Sequence, residues 1–119
     1  MTSSRLLIFA AWAGVIGIIA LSVVPGRDRP HTAFTGHEEH FAAYALTGIA
    51  FAIGLRRAAA RGYAVAGLAL LSITLEVAQH FTPGRHPAIS DAAFSSLGGA
   101  AGIAIGAAMV RFFRREQRV

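Results

Sequence analysis

LLIFAAWAGVIGIIALSVV, residues Leu6 to Val24, runs for 19 positions without a charged side chain. Gly14, Gly17 and Ser22 are its only interruptions. At roughly 1.5 Å per helical residue, such a run crosses a hydrocarbon layer of roughly 30 Å. A cleaved signal peptide usually has a shorter apolar stretch of about 7–15 residues, so a retained span fits better.

The rest of the chain repeats the pattern. Phe41 to Leu55 is a shorter apolar run that reaches spanning length with Glu39 and His40 at its mouth. Tyr63 to Phe81 is a third run, and Ala92 to Val110 a fourth, rich in small residues. The runs predict spans over about 6–24, 39–55, 63–81 and 92–110 within a single domain, residues 1–119. Composition agrees, because 55% of the 119 residues are hydrophobic and only 14% charged. A soluble domain carries about 25% charged residues. Four helices apolar on all sides do not suit a small soluble bundle. The expected fold is therefore an all-α membrane protein, four transmembrane helices in a compact bundle.

Charge sets the orientation. The net charge is +5, and all 11 basic residues are arginines. They stand at the ends of apolar runs rather than along one face, which suits membrane topology and not nucleic acid. Eight lie in the N-terminal flank, the second connection and the tail; Arg27, Arg29 and Arg85 lie in the first and third connections. The positive-inside rule then places both termini in the cytoplasm and the first and third connections outside. With no cysteine, disulfides and thiolate metal sites are excluded.

The chemistry falls on the outer side. His31, His37, Glu38, Glu39 and His40 belong to the first outer connection or its edge; Glu76, Gln79, His80, Arg85, His86 and Asp91 belong to the third. Glu76 lies seven residues before Pro83, about 10 Å of helix from the loop and so within the membrane. An ionisable group there faces the bundle or a wet cavity, joining helices or serving a site. Gln79 and His80 share its helix face. Arg85 offers a donor fork suited to carboxylate or phosphate. Asp91, just ahead of the fourth run, reads as an N-cap that could also pair with Arg85. Ser95 follows one turn later, where back-bonding within the helix is the plain reading. HEEH is not the zinc-binding helix signature, because His37 and His40 stand three residues apart and not four. His40, Glu76, His80 and Asp91 could converge on a metal, but spacing within one element does not support it, so no metal and no cofactor are expected.

Gly98, Gly102 and Gly106 recur every four residues and let another helix approach closely. That helix belongs either to the same chain or to a second copy, which would make an oligomer. Pro-Gly-Arg follows both the first run, at Pro25–Arg27, and the third, at Pro83–Arg85. The echo suggests two parallel hairpins related by an axis along the membrane normal, and chance explains three residues equally well.

In order, the chain shows Leu21-Ser22 with Pro25, then His40 and Tyr44, then Glu76 and Gln79, then Pro83 and Arg85, then Asp91 before Gly98 and Gly102. This order resembles the VanZ-like family of small integral membrane proteins over about Leu21 to Gly106. The resemblance implies four spans in a bacterial plasma membrane, a place in the cell envelope, and a link to antibiotic resistance through a member associated with resistance to the glycopeptide teicoplanin. Two positions depart from it: Gly36-His37 stands where Asp-Lys is frequent, and Ser95 where asparagine is frequent. Three functions follow as expectations. One is binding of an anionic or lipid-linked envelope ligand by Tyr44, Gln79, Arg85 and Ser95. Another is catalysis with Glu76 or His40 as acid and base and Asp91 as orienting partner. The last is a structural or assembly role without a ligand.

Overall fold

The computed structural model describes residues 3–119. Four α-helices account for most of them: α1 Ser3–Val23, α2 Gly36–Gly54, α3 Ala58–Gln79 and α4 Ile89–Glu116. A short 3-10 turn, Gly26–Asp28, lies after α1, and there is no strand among the described residues. Met1 and Thr2, in the N-terminal flank used for the charge count, lie outside the described residues. Three helices, α1, α3 and α4, are long and apolar enough to cross a membrane. The fold is thus all-helical, with the apolar character of a membrane protein.

α2 differs because its first turns hold His37, Glu38, Glu39 and His40. It is also the inner helix. Tyr44, Thr47, Gly48, Phe51, Ala52 and Gly54 are buried along it. α4 packs most extensively on α2, α1 flanks α2, and α3 flanks α4. Ile8 meets Gly54 while Gly14 meets Thr47, so α1 and α2 are antiparallel. Gly98, Gly102 and Gly106 seat against Phe41, Ala45 and Ile49 in turn, so α2 and α4 run parallel.

That glycine register answers which helix the small-residue stripe meets: it is α2 of the same chain. A Cβ at Gly98 or Gly102 would collide with the backbone of Phe41 or Ala45. In a bilayer there is no hydrophobic force between helices, and this backbone approach replaces it through packing. The contacts are reciprocal. Gly102 rests on Ala45 and Gly48 on Gly99, which exchange under a shift of 54 residues (Gly48 to Gly102, Ala45 to Gly99). The two Pro-Gly-Arg turns also meet, and Gly26 N–H donates to the Pro83 carbonyl at 3.0 Å. Gly84, with φ of 71°, makes the positive-φ turn that brings its carbonyl against Gly26.

Local sequence explains the ends. Thr35 caps α2 in a capping box: its hydroxyl accepts from Glu38 N–H at 3.3 Å, and the Glu38 carboxylate accepts from Thr35 N–H at 2.8 Å. The helix therefore starts at Gly36, and HEEH lies on helix. α4 starts at Ile89 after Ala88, which supplies no side-chain cap. Asp91 is consequently not an N-cap; it is the third residue of the first turn, where its charge still suits the helix dipole. At the other end of the bundle, Arg61 Nε donates to the Ala52 carbonyl at 2.9 Å and satisfies the last turn of α2.

Candidate functional site

The C-terminus of α1 leaves carbonyls without helical partners. Two side chains from the far hairpin reach them. Arg85 Nε donates to the Val24 carbonyl at 2.9 Å, and Nη2 donates to the Leu21 carbonyl. Gln79 Nε2 donates to the Ser22 carbonyl at 3.3 Å. Residues singled out in the sequence from different connections are thereby drawn together at one end of the bundle.

Around them lies a polar cavity of about 330 Å³. Arg29, Glu39, His40, Gln79, Arg85 and Asp91 line it, and His31 and His86 join from the loops. A second cavity of about 420 Å³ runs on from it between α1 and α2. The two share Arg29, Glu39, His40, Gln79 and Arg85, while Gly17, Ile18, Leu21, Ala43 and Leu46 make the second one apolar. Both volumes fall within the range of about 300–1,000 Å³ usual for small-molecule sites.

The charges are partly committed. Arg29 pairs with Glu39, and Thr32 donates to the same carboxylate. His37 Nε2 lies 2.9 Å from Asp91 Oδ1, and its ring stacks on Phe94 at 4.6 Å between centroids. The expected pairing of Asp91 with Arg85 is thus replaced by one with His37, whose helix turn stands directly against α4. Among the described residues, the Arg85 guanidinium makes no ion pair and bonds only to the carbonyls of Leu21 and Val24. Loss of hydration, and next the charge of Arg29, lower the pKa of its guanidinium. An arginine guanidinium keeps its proton in proteins, so Arg85 is a cation.

The three acid and base candidates do not form one hydrogen-bonded cluster. His40 and Asp91 line the polar cavity and lie within electrostatic reach of each other. Glu76 does not line either cavity. It is 9% exposed, its Oε1 has no hydrogen-bond partner, and it lies within electrostatic reach of Tyr44 and Asp91. Three residues beyond Glu76, Gln79 carries the wall instead. Tyr44, 2% exposed, lines the apolar cavity one turn below His40. Ser95 is buried in α4 away from both cavities. His80 donates from Nδ1 to the Glu76 carbonyl at 3.0 Å. Among the described residues, no three histidine, aspartate or glutamate side chains gather as a metal site would require.

Sequence reading missed three contributors. Arg29 and Thr32 enter the wall because the connection between α1 and α2 folds back over α2, which no local pattern announces. Thr35 had a signal: Thr-x-x-Glu at Thr35 and Glu38 is a capping box. Comparison with known proteins gave no match, whether to family models, to curated proteins or to solved structures.

Proposed function

We propose that the chain is a VanZ-like membrane protein of the bacterial cell envelope that binds the anionic headgroup of a lipid-linked ligand at its outer cleft. Four helices cross the bilayer with both termini cytoplasmic. α2 spans with the others: its length is about 28 Å, and burial between α1 and α4 leaves it only a narrow lipid-facing apolar edge, at Leu46.

The observation that carries the reading is Arg85. Its guanidinium is anchored by the carbonyls of Leu21 and Val24 at the end of α1, pairs with no carboxylate among the described residues, and stands in the wall common to both cavities. Such a cation is pre-organised for a phosphate or carboxylate. Further support comes from the convergence of Leu21, His40, Gln79, Arg85 and Asp91, all of which carry the family resemblance. The test is binding of dodecyl phosphate to purified protein in a neutral detergent, compared between the parent chain, Arg85→Gln and Arg85→Lys.

A helix-locking role for the same residues is favoured by the bonds of Gln79 and Arg85 to Ser22, Leu21 and Val24. Under that reading, Arg85→Lys and Arg85→Gln lower stability alike, and no anion binds.

A further inference from the structure

The apolar cavity has a floor and an open side. α1 and α2 touch where Gly14 meets Thr47, which closes its inner end. From Gly14 to Ser22 it extends about 12 Å along α1. Leu21 and Leu46, at its two edges, are 54% and 68% exposed. In a chain embedded in lipid, such exposure faces acyl chains. Gly17 lines this slot, and a Cβ there would meet no atom within 4 Å. A side chain at that position would project into the slot and not into the protein.

An amphiphile whose headgroup sits in the polar cavity must pass its chain to the bilayer. The slot between α1 and α2 is an apolar passage continuous with that cavity. We propose that this slot is a lateral portal holding the hydrocarbon chain of a phosphate-headed amphiphile, with the headgroup beside Arg85 and the chain lying past Gly17 between Leu21 and Leu46. The proposal rests on the headgroup reading above but concerns a different surface. Selectivity follows: the site takes an amphiphile from within the membrane, since the chain enters sideways and need not cross water.

Dodecyl phosphate carrying a mid-chain diazirine tests the portal by light-induced crosslinking and peptide mapping, with the matching dodecyl alcohol alongside. Saturable labelling of Ile18, Leu21, Ala43 and Leu46 by the phosphate probe is expected. Gly17→Leu lowers that labelling roughly tenfold, the effect of excluding about two methylenes. Gly67→Leu, equally free of neighbours but outside the slot, leaves it unchanged. Leu46→Trp plugs the slot from α2 and gives the same loss should Gly17→Leu fold poorly. Label spread over the lipid faces of α3 and α4 and unaffected by either plug overturns the portal, while the headgroup reading survives if Arg85→Gln still weakens binding. Equal slot labelling by the alcohol supports the portal and removes the headgroup reading. Absence of saturable slot labelling by both probes overturns the portal outright.

Discussion

Arg85 Nε donates to the carbonyl of Val24 at 2.9 Å, joining the loop before α4 to the end of α1. One side chain thereby performs two tasks. It satisfies a helix terminus that would otherwise leave carbonyls bare, and it holds a positive charge in the wall of a polar cavity. Arg61 caps α2 at the opposite end, away from the two cavities that Arg85 lines.

Close packing of α2 on α4 predicts a sharp contrast between glycines. Gly102→Ala forces a methyl into the Ala45 carbonyl and costs about 1–3 kcal/mol. Gly67→Ala meets nothing and shifts stability by at most about 1 kcal/mol, toward greater stability. Thermal unfolding of both variants in detergent distinguishes them; equal midpoints would remove the backbone contact as the main tie between the helices.

The capping box predicts that Thr35→Ala costs about 1 kcal/mol. The effect concentrates at the N-terminal end of α2. Amide hydrogen exchange should therefore quicken at Glu38 and Glu39 and leave Ala50 and Phe51 unchanged. Uniform quickening along the helix would contradict a local cap.

Glu76 presents a buried oxygen without a donor. Leaving such an acceptor unsatisfied costs about 1–3 kcal/mol. Glu76→Gln removes the charge and keeps the shape, so its unfolding midpoint should equal or exceed that of the parent chain. A clear fall would show that the carboxylate's bond from the Ala88 backbone N–H outweighs the cost of the unsatisfied oxygen.

Much of this fold was legible from apolar run length and loop punctuation. Helices extend past the runs because polar residues can continue a helix into water: α4 runs from Ile89 to Glu116, beyond the apolar stretch Ala92 to Val110. The glycine spacing announced a close helix contact, but only the register of Phe41, Ala45 and Ile49 against it identified α2. The site was legible in part. His40, Gln79, Arg85 and Asp91 share one cavity. Glu76 drew attention as an intramembrane charge, yet helical rotation turns Gln79 to the wall and leaves Glu76 behind it. The pairing of His37 with Asp91 depends on the parallel docking of two helices far apart in sequence, which no local spacing encodes.

Membrane orientation has a direct check, since the chain holds no cysteine. Ala33→Cys and His86→Cys, in the first and third connections, should react with an impermeant thiol reagent added outside intact cells. Ala59→Cys, at the start of α3, should react only after the membrane is opened. The reverse pattern would invert the topology and place the cleft in the cytoplasm.

The central claim is an anion site built on Arg85, and dodecyl phosphate binding in neutral detergent tests it most directly. Loss of one charge-assisted contact corresponds to about 10–100-fold in affinity. The account predicts saturable binding by the parent chain, retention within about tenfold in Arg85→Lys, and a loss of about tenfold or more in Arg85→Gln. Equal affinity in all three proteins, or no saturable binding by the parent chain, would contradict it.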